Sequence, residues 1–253
     1  LRTEYYLWKA KRLGGGNAAL STAQSSVDAV LKAGYALLPT FADIFNLNNE
    51  ANSELIWTLP YIVNENVTPG TSPNFFAYYL APNGDRTRLR EAGYTEDEVP
   101  AGSHAQYVVP TQAYCDFLAE DARDTRTDVS VRVFEDKFLT EEVQIKRMVV
   151  KFKGSFANDT RSFDSDVPVY RLAEAYLLKA EVENALGNTD AALQNLNVVA
   201  KRAYGVDNYY TARTQDAIDN AIISEILKEF VAESKAWWAY LRFNKEFELI
   251  ETL

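Results

Sequence analysis

Residues 166–181 read DVPVYRLAEAYLLKAE and predict an amphipathic helix, the most informative element of the chain. Its apolar side chains recur at the spacing i, i+3, i+4, i+7, which places them on one face of an α-helix. They are Val169, Leu172, Ala173, Tyr176, Leu177 and Ala180. Asp166 ahead of Pro168 predicts a helix cap followed by a proline in the first turn. Gly187 predicts the end of the helix, because glycine adopts the left-handed conformation at low cost.

The same pattern occurs near the start of the chain. Residues 6–10 read YLWKA where residues 176–180 read YLLKA, and a turn with Gly and Asn follows both. Small residues then begin a second helix, at 17–20 (NAAL) and at 191–193 (AAL). An aromatic residue, a glycine turn and alanines that allow close approach are typical of tetratricopeptide-like helical hairpins. Two unrelated helical hairpins are the alternative interpretation.

The C-terminal region predicts a further helix over residues 214–234. Its apolar side carries Ile218, Ile222, Ile226 and Phe230. We expect this helix to run into Trp237 and Trp238, within a second short helix or a bend. One of the two indoles is expected in the core and the other partly exposed.

The insertion between the two hairpins has a different pattern. Alternating apolar residues predict a strand over 55–61. Residues 129–134 and 148–152 are further strand candidates, which we expect to pair with each other. Residues 111–120 predict one short helix.

The predicted fold is mainly α, with tetratricopeptide-like helical-hairpin repeats and a long loop-rich insertion that carries a few short strands. We treat residues 1–253 as one region with three parts. These are a helical hairpin at 1–50, the loop-rich insertion at 51–167, and the helical repeat with the C-terminal helices at 168–253.

Charge and composition exclude several classes of function. The 253-residue chain has a net charge of −10 and no cluster of Lys and Arg, so nucleic acids and anionic membrane surfaces are poor partners. This balance favours neutral or cationic ligands. Cys115 is the only cysteine, which excludes an intrachain disulfide and a thiolate metal site. Leu1 falls within a predicted helix without a signal peptide or a lipidation motif, so we expect a fragment whose natural N-terminus lies upstream.

Several residues raise the question of catalysis. Two groups of carboxylates would suit a glycosidase: Asp121, Asp124 and Asp128, and Asp164 and Asp166. Solvated carboxylates or structural Asp–Arg pairs are the favoured interpretation, and the groups lack the glycine-centred spacing of a calcium loop. His104 is the only histidine and no Gly-x-Ser-x-Gly motif accompanies it, while Gly14–Gly16 predict a turn between helices. The sequence therefore predicts no enzyme, no metal and no cofactor.

The main functional lead is an aromatic- and arginine-rich loop predicted over residues 64–110. Loops this long inside a compact protein are often functional. Sugar rings stack their C–H faces on aromatic rings, and their hydroxyls pair with amide, carboxylate and guanidinium groups. We expect a glycan or peptide to contact seven residues: Tyr78, Tyr79, Asn83, Arg86, Arg88, Tyr94 and Tyr107. Aromatics that cover the core, with the arginines in solvent, are the alternative.

The chain resembles the SusD/RagB family of outer-membrane nutrient-binding lipoproteins, and residues 166–181 are similar to its most recognisable block. Other blocks resemble the family in the expected order: residues 33–37 (AGYAL), 41–45 (FADIF), 52–57 (NSELIW), 121–123 (DAR) and 226–243. The chain departs from the family pattern at Phe230, Ser234, Ala236 and Ala239, which is typical of a divergent branch.

The resemblance implies the C-terminal half of such a protein, with a tetratricopeptide-like scaffold decorated by loops. It implies attachment to the outer membrane at the cell surface through a lipidated cysteine upstream of this chain. It also implies a SusC-like TonB-dependent transporter as partner, and binding of glycans, or sometimes peptides, without catalysis. A helical-repeat scaffold that binds a peptide or protein is the alternative function.

Overall fold

The computed structural model describes residues 1–65, 90–91, 93–100, 108–136 and 144–247. The chain forms two compact units. The helical unit comprises Leu1–Thr40, Asn52–Trp57 and the described residues from Pro168 onward. The strand unit comprises Phe41–Ala51 and the described residues between Thr58 and Val167.

The elements follow one another along the chain in this order. The helices are α1 (Arg2–Arg12), α2 (Gly16–Leu31), α3 (Gln112–Leu118), α4 (Thr127–Ser130), α5 (Leu172–Ala185), α6 (Thr189–Tyr204), α7 (Gln215–Glu229) and α8 (Ala236–Phe243). The strands are β1 (Leu55–Leu59), β2 (Val131–Asp136), β3 (Gln144–Val149), β4 (Ser155–Ala157), β5 (Thr160–Ser162) and β6 (Val167–Arg171). Two 3-10 helices, Ala42–Phe45 and Leu47–Asn49, lie between α2 and β1.

The two predicted helical hairpins are confirmed. Helices α1 and α2 form one hairpin, and α5 and α6 form the other. Gly14 (φ +70°) and Gly187 (φ +82°) lie in the two turns with left-handed backbones that a side chain would strain. The mainly helical, tetratricopeptide-like fold class is therefore correct.

Helix α5 lies at the centre of the helical unit because apolar residues cover two of its sides. One cluster joins it to α1 and α2 through Leu7, Leu20, Ala23, Val27, Leu172, Ala175, Leu178 and Val182. The other joins it to α6, α7 and α8 through residues that include Ala173, Leu177, Ala180, Leu196, Ile222 and Ile226. Burying a Leu or Ile side chain contributes about 1.5–3 kcal/mol, so these clusters supply the main driving force for the helical unit.

A buried network of charges ties the segments of the helical unit together. Arg171 donates from Nη1 to Glu54 and Glu229 at 3.1 and 2.9 Å, and from Nε to Glu233 at 2.8 Å. Arg202 donates to the second carboxylate oxygen of Glu54 at 2.7 Å and also pairs with Glu229. The side chains of Arg171, Glu54, Glu229 and Glu233 are at most 1% exposed. Segment 52–57 is thereby fixed to α6, α7 and the start of α5.

The predicted start of the central helix is wrong. Asp166 does not cap a helix, and Pro168 lies within β6 rather than in a first helical turn. Helix α5 begins only at Leu172. The reason is long-range: β6 pairs with β1, and the β-branched residues 167 and 169 favour an extended backbone over a helix.

The predicted burial of one C-terminal indole is also wrong. Trp237 and Trp238 are 45% and 54% exposed. Helix α8 buries the face that carries Ala239, Arg242 and Phe243, which has the spacing i, i+3, i+4. Trp237 and Trp238 lie outside this buried face and are about half exposed.

The strand unit contains two antiparallel pairs of strands. β2 pairs with β3, with Val131 opposite Val149, and β4 pairs with β5. The predicted pairing of the two strand candidates is therefore confirmed, although β3 begins earlier than expected, at Gln144. The predicted short helix is also present as α3, and the Thr111 hydroxyl accepts a hydrogen bond from the Tyr114 N–H at 3.2 Å at its start. Val99, Phe134, Met148 and Val150 form the core beside these strands.

Across the described ranges, none of the helices combines the length and the apolar character needed to cross a bilayer.

Candidate ligand-binding cleft

The strand unit contains a cleft with a volume of about 760 Å³. Side chains from the two 3-10 helices, from β2 and from the segment following β3 line it, together with residues of the β4–β5 hairpin. The most informative of them are Phe45, Asn48, Arg132, Lys151, Phe156 and Arg161. The volume falls within the usual range for small-molecule sites, and the lining combines aromatic rings with polar groups.

The aromatic rings of the cleft are held by their neighbours. Phe45 makes edge-to-face contacts with Phe41 and Phe152, with centroid distances of 5.2 and 5.6 Å. The guanidinium carbon of Arg161 lies 5.3 Å from the centroid of the Phe156 ring. Both Phe45 and Phe156 keep part of their surface exposed. Such fixed rings can stack against a ligand with little loss of conformational freedom.

Several charges in the cleft are paired within the protein. The ammonium group of Lys153 lies 2.8 Å from Asp97, and this hydrogen bond holds the pKa of the Asp97 carboxyl below its usual value. Buried Arg161 lies 3.3 Å from the carboxylate of Glu96 and also donates to the carbonyl oxygen of Lys153 at 2.7 Å. Arg90 pairs with Glu96 at 3.2 Å from outside the cleft lining.

Two further cations line the cleft. Lys151 is 3% exposed, and its ammonium nitrogen lies 4.9 and 4.5 Å from the ring centroids of Phe41 and Phe45. Arg132 is half-buried, and its enclosed Nε forms no hydrogen bond with a described residue. Its guanidinium forms no ion pair within the described part of the chain. Arg132 thus lines the cleft with part of its side chain exposed.

Tyr94 is the only one of the seven predicted ligand-binding residues that the structure describes. It is half-buried and packs edge-to-face on Phe134, with the ring centroids 5.7 Å apart, beside the core of the strand unit. Its successors Thr95, Glu96 and Asp97 line the cleft. The other six lie outside the described residues: Tyr78, Tyr79, Asn83, Arg86, Arg88 and Tyr107.

The cleft residues most important for the site were absent from the sequence-based prediction. Phe45, Arg132, Lys151 and Phe156 come from four separate segments, and no motif connects them. No local pattern in the sequence shows that these four segments line one cleft.

Asp121 and Asp124, two of the carboxylates considered for catalysis, are held by arginines. The Asp121 carboxylate receives hydrogen bonds from Arg123 at 2.9 and 2.6 Å, and Asp124 receives them from Arg126 at 2.8 and 2.7 Å. The Asp124–Arg126 pair is almost fully buried. These are the expected structural Asp–Arg pairs, in which the arginine donors occupy both oxygens of each carboxylate.

Asp164 and Cys115 are further candidates for chemistry that the structure describes. Asp164 accepts hydrogen bonds from the backbone N–H and the hydroxyl of Ser155, both at 2.7 Å. Cys115 is buried, and burial raises the pKa of its thiol, so it behaves as a small apolar residue. His104 lies outside the described residues. Among the residues that the structure describes, no three His, Cys, Asp or Glu side chains form a group able to hold a metal ion.

The helical unit carries a separate aromatic surface. Trp57 is 55% exposed and stacks on Tyr170, with the rings 6.3 Å apart and inclined by 24°. Tyr170 is held from its other sides by a hydrogen bond of 2.5 Å to Glu4 and by the Lys235 ammonium, 4.3 Å from its ring centroid. Exposed aromatic residues with fixed positions are a common property of recognition surfaces.

The fold and the cleft define a helical-repeat protein whose strand unit is inserted in the sequence between the two helical hairpins. The family model that matches residues 128–251 is described as the SusD family. SusD-like protein P25 of Formosa agariphila is 27% identical over 245 residues, which cover 87% of this chain and 45% of that protein. A SusD superfamily protein of Bacteroides fragilis with 27% identity superposes with a TM-score of 0.76, over 94% of this chain and 51% of that one.

Surface glycan-binding protein A of Bacteroides thetaiotaomicron, solved in complex with laminarihexaose, has the same fold. It is 20% identical and superposes with a TM-score of 0.63, over 96% of this chain and 53% of that one. The chain spans about half the length of these relatives. The family model over residues 128–251, the two relatives with 27% identity and the quoted sequence blocks support assignment of the chain to the SusD/RagB family.

Proposed function

We propose that this chain binds an extracellular glycan without catalysing a reaction, and that the cleft of the strand unit is where the sugar binds. The observation that carries the proposal is the composition of the cleft. The partly exposed rings of Phe45 and Phe156 offer stacking surfaces, and Asn48, Ser155 and Arg132 provide amide, hydroxyl and guanidinium groups. A protein with the same fold, surface glycan-binding protein A, binds laminarihexaose, which supports the same class of ligand.

In the proposed biological setting, the complete protein is a lipoprotein on the outer face of the outer membrane. It passes its glycan to a SusC-like TonB-dependent transporter. Membership of the family supports this setting. Co-expression with a SusC-like transporter from the same organism tests the partner: we expect a complex that survives purification, and free migration of both proteins would contradict it.

Isothermal titration calorimetry with a panel of oligosaccharides tests glycan binding. For the best ligand, Phe156→Ala is expected to weaken binding about tenfold, because about 1.4 kcal/mol of stacking is lost. Phe247→Ala is the matched control, since Phe247 lies in the helical unit and is 71% exposed. Equal affinities of the two variants would exclude the cleft as the binding site.

The second candidate function is a scaffold that binds a peptide or protein, and the exposed aromatics of the helical unit favour it. Trp57, Trp237 and Trp238 are each about half exposed. If this function is correct, a Trp57→Ala variant loses its partner while Phe156→Ala retains it. The glycan proposal predicts the opposite pattern for an oligosaccharide.

A further inference from the structure

We infer that the cleft selects an anionic saccharide, one that carries a carboxylate or a sulfate group, and that Arg132 recognises this group. The inference rests on the proposed function, since it specifies the class of glycan that the cleft takes. It differs from the expectation of neutral or cationic ligands that the net charge of −10 supports. The local arrangement of charges in the cleft is the reason.

Several charges of the cleft are paired within the protein. Asp97 is neutralised by Lys153 at 2.8 Å, and Glu96 is close to Arg161 at 3.3 Å. These pairs leave the cleft with little field of their own, because opposite charges at such distances largely cancel at a ligand several ångströms away.

Arg132 and Lys151 also line the cleft. Lys151 lies beside the rings of Phe41 and Phe45, whose negative faces stabilise its charge and fix its position. The guanidinium of Arg132 forms no ion pair with a described residue, and its planar set of donors matches the geometry of a carboxylate or a sulfate. Arg132 is therefore the cation best suited to bind an anionic group.

Two exposed carboxylates, Asp128 and Glu98, oppose the binding of an anionic group. Asp128 lines the cleft, is solvent-exposed and forms no ion pair with a described residue. Glu98 is exposed outside the lining, where hydrogen bonds from Thr95, and to a smaller extent the charge of Arg132, lower the pKa of its carboxyl. Water screens an exposed carboxylate more strongly than a half-buried guanidinium. The half-buried guanidinium of Arg132 therefore acts on a ligand in the cleft more strongly than these exposed carboxylates do.

The test measures binding of wild type, Arg132→Gln and Asp128→Asn to an array of oligosaccharides in three matched groups. The groups are neutral glucans, uronate-containing oligosaccharides and sulfated oligosaccharides. Asp128→Asn preserves side-chain size, Arg132→Gln retains a polar amide in a shorter side chain, and the two change the charge of the cleft in opposite directions. Circular dichroism and melting of each variant show that it folds.

We expect wild type to retain anionic oligosaccharides in preference to neutral ones. Arg132→Gln should weaken that binding at least about tenfold, and Asp128→Asn should strengthen it about two- to threefold. Competition by free glucuronate or by inorganic sulfate then distinguishes the two sources of negative charge. Raising the salt concentration should reduce the preference for anionic ligands.

Two results would overturn the inference in distinguishable ways. A preference for neutral oligosaccharides, or equal effects of both variants on neutral and anionic ligands, would reject the anionic class and leave glycan binding intact. No retention of any saccharide by folded wild-type protein would reject the proposed function itself.

Discussion

Two arginines in the two units of this protein have opposite environments. In the helical unit, Arg171 is 1% exposed and its guanidinium is bonded to Glu54, Glu229 and Glu233. In the strand unit, Arg132 is half-buried beside the cleft, and no described residue hydrogen-bonds to its Nε or forms an ion pair with its guanidinium.

The difference separates charges that hold the fold from charges available to a ligand. A buried guanidinium surrounded by carboxylates has its desolvation cost offset within the protein, and removing it leaves those carboxylates without that partner. A guanidinium outside such a network adds little to the stability of the fold, but it can bind an anion without first breaking an ion pair. The comparison therefore predicts opposite consequences for the same type of substitution.

The largest expected effect is that of Arg171→Ala. Loss of this guanidinium removes the cation that three buried carboxylates share, and we expect the free energy of unfolding to fall by about 3–5 kcal/mol. All four tryptophans, Trp8, Trp57, Trp237 and Trp238, belong to the helical unit. Urea unfolding followed by tryptophan fluorescence therefore reports on this unit.

The control for this measurement is Arg213→Ala. Arg213 pairs with Asp190 on the surface, and the two side chains are 62% and 86% exposed. Exposed pairs contribute about 0–1 kcal/mol. Similar losses for the two variants would show that burial of the network has no special role.

The next effect concerns a buried arginine of the strand unit. It shows whether a large loss of stability follows from the buried ion pair itself or is special to the helical unit. Arg126 and Asp124 form a two-point ion pair that is almost fully buried. Arg126→Ala leaves the Asp124 carboxylate without its partner guanidinium, and we expect a loss of about 2–4 kcal/mol. Hydrogen exchange of the β2–β3 amides measures it, and unchanged exchange would contradict the expected cost.

A smaller effect is the dependence of stability on pH. Burial, followed by repulsion from Asp166, raises the pKa of Glu50 from 4.5 to about 6. The folded state then retains a proton that the unfolded state releases, so this stabilising contribution is present below about pH 4.5 and is lost as the pH rises through 6. We expect the change to be under about 1 kcal/mol because water screens this partly exposed group.

Calorimetric unfolding at pH values of about 4.5 and about 7 isolates this contribution when wild type is compared with Glu50→Gln. The variant should lose less stability than wild type between the two pH values. An identical pH dependence for both proteins would show that folding does not shift the pKa of Glu50.

The smallest expected effect is that of Arg132→Gln on the stability of the free protein. We expect a change within about 0.5 kcal/mol, because no ion pair with a described residue is lost. Hydrogen exchange of the β2–β3 amides without ligand is the measurement. A loss comparable to that of Arg126→Ala would mean that Arg132 is structural, and the comparison between the two arginines would no longer hold.

The sequence predicts the helical hairpins well because their signals are local. The spacing of Leu172, Leu177 and Ala180 and the position of Gly187 depend only on neighbours within a few turns. The start of α5 is not predictable in this way, since β6 forms by pairing with β1, which lies far earlier in the chain. The exposure of Trp237 follows from the face that α8 buries, which depends on tertiary packing.

The cleft is less predictable than the fold for the same reason. Phe45 and Phe156 are far apart in the sequence and line one cleft only when the strand unit folds. The aromatic-rich composition draws attention to the insertion, and Tyr94, the described member of the predicted set, packs on Phe134 beside the core. Composition indicates the region of interest, whereas long-range pairing decides which side chains line the cleft.

Hydrogen exchange of the full chain with and without its best-bound oligosaccharide locates the binding site. If the cleft binds the glycan, backbone amides exchange more slowly in three segments that line it, residues 42–48, 95–97 and 150–156. Amides of α5 and α6 should be unchanged. Protection confined to the helical unit around Trp57 and Trp238, with no change in the three cleft segments, would contradict binding in the cleft.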